Sequence, residues 1–311
     1  MALPFPLSFF EPLRSSTALI RATAVDAAVL AGHLMLYPTG LAQERPPAAA
    51  AEGDGRGRGP GRGKHRPVLL LHGFIDNRSV FVLLRRSLRQ DGRHHVEGLN
   101  YSPLTCDIPT AAALLGDHVQ EVCKRTGRRR VDLVGHSLGG LIARYYVQRL
   151  GGDARVHTLV TLGTPHGGTR AVPLLSAHPL VRQMRPDSPV IEALRQPAPG
   201  CRTRFISFWS DMDQVVTPAE MACVRHPDLD ARNVRVTGIG HLALPVHRTI
   251  ATGVRRALDG DTTPVTEADD PDTPDTGADG STGSAGSSGG AQGARGAKPG
   301  GDDASGAASV A

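Results

Sequence analysis

The ten residues Val131-Asp132-Leu133-Val134-Gly135-His136-Ser137-Leu138-Gly139-Gly140 constrain this chain more than any other stretch. A short apolar run stops at Gly135, and a helical pattern opens after Ser137. The Gly-x-Ser-x-Gly spacing is that of a sharp strand-to-helix turn, which lifts a serine hydroxyl above a parallel sheet. Such a turn holds its serine in strained backbone, so its neighbours must be nearly without side chains, as Gly135 and Gly139 are. The new helix starts beside the hydroxyl, and its free N–H groups face any developing negative charge.

Strand and helix patterns alternate on both sides of this turn. Val68 to Leu71 is a continuous apolar run, as expected of a strand buried on both faces. Val96 to Asn100, Val131 to Val134, Val156 to Leu162, Phe205 to Trp209 and Val234 to Thr237 supply five more strands. Helical patterns cover Val80 to Leu88, Pro109 to Arg125, Leu138 to Leu150 and Pro245 to Leu258. The alternation predicts an α/β domain over residues 67–258, a mostly parallel sheet of about six strands with helices on both faces.

The flanks read differently. Residues 1–41 form an N-terminal segment with one alanine- and leucine-rich helix from Thr17 to Leu36. Arg21, Asp26 and His33 interrupt its apolar run. That argues against a signal peptide or a membrane span, and favours a helix packed on the domain or lying on a membrane surface. The expected location is therefore cytoplasmic or membrane-peripheral rather than secreted. Residues 42–66 are a Pro/Ala/Gly/Arg-rich linker, and 259–311 read as a disordered, mostly acidic tail. The net charge of +5 is concentrated in that linker, with no nucleic-acid motif or aromatic platform beside it. No nucleic-acid partner is expected. The four cysteines, Cys106, Cys123, Cys201 and Cys223, lack metal-ligand spacing, so no metal is expected either. They permit disulfides or buried thiols equally.

A serine hydroxyl becomes a nucleophile when a histidine takes its proton and a carboxylate orients that histidine. In a parallel sheet these groups belong on loops after later strands, in the order Ser, Asp, His. The loop after Phe205–Trp209 offers Asp211 and Asp213. Asp213 is the better candidate because it directly precedes the turn into Val215-Val216; Asp211 is the alternative. Of the 13 histidines, His241 stands in a glycine-flanked loop just past the last strand and can reach back to Ser137. Oxyanion donors are expected at the backbone N–H of Leu138 and of Phe74, where Gly73 permits close approach. His72 and His166 border the site in sequence, and a packing or turn role fits both better than proton transfer. The apolar insert 172–200 is either a cap over the site or an ordinary packing excursion.

Together these residues resemble the α/β-hydrolase lipases and esterases, close in pattern to small bacterial triacylglycerol lipases. His72-Gly73, Gly135 to Gly140, Leu162 to Gly168, Asp213 to Val216 and Gly240-His241 carry the resemblance, in the family's order over residues 66–250. It implies Ser137 as nucleophile, Asp213 as acid, His241 as base, and the Phe74 and Leu138 N–H groups as oxyanion hole. It also implies an ester or lipid substrate and no cofactor. An acyltransferase on the same machinery and a non-catalytic binding member are the alternatives. Peripheral membrane contact is expected, if at all, through the N-terminal helix.

Overall fold

The computed structural model describes residues 11–41, 65–74, 76–101, 107–170 and 178–261, with side chains of the first segment from 17 to 40. Cys106, most of the 42–66 linker, the start of the 172–200 insert and the tail from 262 lie outside the described residues.

Six strands form one sheet in the order β2-β1-β3-β4-β5-β6. They are β1 (Val68–Leu71), β2 (Val96–Leu99), β3 (Val131–His136), β4 (Val156–Leu162), β5 (Arg204–Ser210) and β6 (Asp230–Val236), and every pairing is parallel. The helices are α1 (Glu11–Leu41), α2 (Val82–Gln90), α3 (Ile108–Thr126), α4 (Leu138–Arg149), α5 (Pro179–Gln183), α6 (Pro189–Arg195) and α7 (Arg248–Asp259).

Alternation along β1 divides the core. Leu69 and Leu71 face α3, α4, α5 and α6, whereas Val68 and Leu70 face α2 and α7. Both faces are covered, which is why the strand reads as an unbroken apolar run. The expected six-stranded α/β architecture is what is observed, with two shifts at its borders. The sixth strand starts at Asp230, four residues before the apolar signal at Val234. It lies at the sheet edge, and the side chains of its first half are exposed or half-buried, so they carry no apolar pattern. The N-terminal helix is also longer than its alanine- and leucine-rich part, running from Glu11 to Leu41.

The chain steps outward from β1 to β2, then returns past β1 to β3 and continues the other way. The gap beyond the carboxyl ends of β1 and β3 is the topological switch point, where open parallel sheets bind ligands. The loop carrying Gly73 and the turn carrying Ser137 flank it.

At that turn Ser137 has φ 51° and ψ −120°, the only positive φ outside glycine among the described residues. Two close approaches make it possible. A methyl group on Gly135 would lie 2.5 Å from the Gly140 nitrogen, and one on Gly139 would lie 2.3 Å from the Leu71 carbonyl oxygen. The first contact folds the helix back onto its own strand, and the second seats α4 against the end of β1. Gly139→Ala is expected to lower stability by about 3 kcal/mol, measured by urea unfolding, because the overlap is with backbone that cannot turn aside.

Candidate active site

Ser137, Asp213 and His241 follow β3, β5 and β6 at the same edge of the sheet. All three are buried. His241 Nδ1 donates to Asp213 Oδ2 at 2.7 Å. The other carboxylate oxygen of Asp213 accepts the N–H groups of Val215 and Val216, each at 2.8 Å. The turn after Asp213 thus fixes the carboxylate, and the carboxylate fixes the imidazole with Nε2 left for other chemistry. Asp211 points elsewhere, to Arg235 at 2.8 Å on the surface.

Two glycines bring the parts together. A methyl group on Gly163, just past β4, would lie 3.0 Å from His241 Nδ1 and 3.1 Å from Asp213 Oδ2. One on Gly73 would lie 3.5 Å from Ser137 Cβ. Backbone without side chains therefore separates the Ser137 turn from the Gly73 loop, and β4 from the His241–Asp213 pair. Leu138 is the first residue of α4, where helix geometry leaves N–H groups without an intrahelical acceptor.

Burial alone would push the His241 pKa down. The charge and hydrogen bond of Asp213, with smaller help from Asp26 and Asp76, bring it above the ordinary histidine value of 6.5.

The two bordering histidines serve the fold. His72 stacks on Tyr101 with ring centroids 4.2 Å apart, and its Nδ1 meets the Gly73 carbonyl at 2.9 Å. His166 is buried, with Nε2 2.9 Å from Thr161 Oγ1, and its carbonyl accepts from the buried guanidinium of Arg144. Burial lowers the pKa of both rings. Phe74 meets His178, the N-cap of α5, edge-on at 4.8 Å. The 178–200 part of the insert thus reaches the site at its start, while Leu180, Val181, Met184, Val190, Ile191 and Leu194 are buried in the core beside α4.

Sequence reasoning missed a buried charged group close to these residues. Asp76 lies 3.6 Å from His136 Nδ1 and 3.6 Å from His33 Nδ1. The His136 ring is 4.9 Å from that of His241, and its Nε2 meets the His241 carbonyl at 3.2 Å. Burial would raise the Asp76 pKa, but the two imidazoles more than offset it and hold the carboxyl well below the usual range. The local sequence signal was only an aspartate three residues after Gly73.

Comparisons with known proteins agree with this fold. The palmitoyl protein thioesterase family model matches residues 67–221. Aspergillus fumigatus lipase B superposes with a TM-score of 0.59 at 17% identity, over 71% of this chain and 57% of that one. Mature Bacillus licheniformis lipase BlEst2 gives 0.53 at 17% identity, over 70% and 96%. A Listeria innocua gene product gives 0.51 at 16% identity, over 64% and 96%. The chain has the α/β-hydrolase fold of these lipases, and the thioesterase family match over residues 67–221 supports a hydrolase acting on esters.

A depressed carboxylate pKa contributes stability above its unfolded value and loses it as pH falls. Asp76→Asn is expected to lower stability at pH 7 by on the order of 2 kcal/mol. Denaturant unfolding should show the gap to wild type closing as pH drops below the reference value of 3.8.

Proposed function

We propose that the protein hydrolyses acyl esters of lipids through a Ser137–His241–Asp213 triad and an acyl-enzyme. The observation that carries this reading is the buried His241–Asp213 hydrogen bond, together with a buried serine held at positive φ. His241 Nε2 takes the proton of Ser137 as its Oγ attacks the carbonyl carbon. The N–H groups of Phe74 and Leu138 receive the oxyanion. His241 then protonates the leaving alcohol. Water, activated by the same histidine, releases the acid and restores Ser137.

The palmitoyl protein thioesterase match supports a second substrate linkage, a long-chain acyl thioester. The acyl half is common to both, and only the leaving atom changes from oxygen to sulfur.

A lipid surface is the partner that suits α1. Ile20, Leu34 and Met35 are 69%, 66% and 83% exposed, whereas the buried side of the helix includes Ala22 and His33. The helix is thus apolar outward and partly polar inward, the reverse of a helix that faces water. Its Thr17–Gly40 part has the length and composition of a membrane span, but its contacts with the domain keep one side occupied and leave the other for the lipid interface.

The deciding assay is hydrolysis of p-nitrophenyl esters from acetate to palmitate, with a palmitoyl thioester in parallel. Long-chain preference is expected. Ser137→Ala should lower kcat/KM by more than about 10³-fold; an alanine variant as active as wild type would remove Ser137 from the chemistry. kcat/KM should rise with pH and level off above 6.5, because His241 acts as base only when neutral and its pKa is raised. Leu34→Asp with Met35→Asp should weaken sedimentation with phosphatidylcholine–phosphatidylglycerol vesicles while hydrolysis of a soluble acetate ester persists.

A further inference from the structure

The helix α1 touches the site's loops one after another. Gln214 Nε2, next to Asp213, donates to Thr23 Oγ1 at 2.8 Å. The Ala243 N–H, two residues past His241, donates to Asp26 Oδ1 at 3.0 Å. His33 faces Asp76 in the loop after β1, and Asn77 donates to the Tyr37 carbonyl at 2.8 Å. Asn100, just past β2, donates to the Gly40 carbonyl.

These contacts run from the β5 and β6 end of the sheet to β2, in the order of α1 itself. From Thr23 to Gly40 a helix advances about 25 Å, and a six-stranded sheet is about 24 Å across. Asp26 and His33 are about two turns apart, so they share one face. The helix therefore lies across the carboxyl ends of the strands, over the acid loop, the base loop and the oxyanion loop.

One close approach falls at the base. A methyl group on Gly240 would lie 2.4 Å from the Asp26 carboxylate. Gly240 immediately precedes His241 and Ala243 lies two residues after it, so the Asp26 carboxylate meets the chain on both sides of the catalytic histidine and is bonded to it on one. A carboxylate accepting a backbone N–H in a partly buried setting makes a charge-assisted bond, stronger than a neutral one. Its negative charge also acts to raise the His241 pKa.

We infer that α1 is a working part of the active site, with Asp26 as a positioning residue for His241. Asp26 fixes the loop on which the base stands, and its charge favours the imidazolium that forms as Ser137 attacks. This rests on the triad reading above. The charged and titratable groups facing His241 are Asp213 from the loop after β5, Asp26 from α1, Asp76 from the loop after β1 and His136 from β3.

The test is hydrolysis of a soluble p-nitrophenyl ester by the full chain, as a function of pH, for wild type, Asp26→Asn, Asp26→Ala and Ser137→Ala. Asparagine keeps an acceptor for the Ala243 N–H and removes the charge. Alanine removes both. Asp26→Ala is expected to lower kcat about tenfold or more by misplacing the base, with KM changed less than about twofold. Asp26→Asn should recover most of that kcat. In both variants the acid limb of kcat/KM should move to lower pH, since removing a nearby negative charge lowers the pKa of His241. A variant with general loss of folded enzyme scales the profile without moving that limb. Wild-type kcat and an unmoved acid limb in both variants, with Ser137→Ala inactive, would overturn the positioning role and leave the triad standing. A rise in kcat on Asp26→Ala would overturn it too, making α1 a cover over the site. Full activity in Ser137→Ala would instead remove the triad reading, and this inference with it.

Discussion

The structure depends on how closely the start of α4 can approach the ends of β1 and β3. Gly139 lies against the Leu71 carbonyl and Gly135 against Gly140, at distances no side chain could share. Those contacts hold Ser137 at a positive φ, a conformation that costs of order 1–3 kcal/mol for a non-glycine residue. A sheet buried on both faces provides the surrounding stability that such strain needs. Everything else at the site is placed relative to this turn. The loop after β1 is next to it across Gly73, and the His241–Asp213 pair lies beyond Gly163.

Much of this was legible in the sequence, for reasons that differ by residue. Central strands such as Val68–Leu71 announce themselves because both faces are buried. The glycines around Ser137 announce the turn because no other residue fits there. β6 was half legible, since an edge strand carries polar residues such as Asp230, Arg232 and Asn233 through its first turns of alternation. Asp211 and Asp213 were nearly equivalent in sequence. In the fold they separate: one meets Arg235 at the surface, and the other is buried against His241.

What the sequence did not show is the pairing of distant polar groups. Asp26 and His33 looked like interruptions of an apolar helix. Their partners, Ala243 and Asp76, lie far along the chain, and no local periodicity connects them. The same holds for Arg144. Its guanidinium is buried and donates to Gln148 one turn on and to the carbonyls of His166 and Leu194. Burial depresses its pKa to about 9, and the carbonyl partners keep the charge satisfied while tying the loop after β4 to α6. Buried polar groups of this kind specify which surfaces meet, a matter that apolar patterning leaves open.

The position of α1 in the chain has a consequence for the order of assembly. Its bonds to Gln214 and Ala243 span 191 and 217 residues, among the longest loops the fold must close. Contacts of such separation are slow to form, because they wait on the entropy of closing the chain between them. The sheet and its own helices can condense through much shorter connections. The helix emerges before all of them and finds its seat after all of them. The carboxyl edge of the sheet is consequently the last region of the molecule to reach its final form, and during synthesis an apolar helix stays uncovered until the strands it will cross have been made.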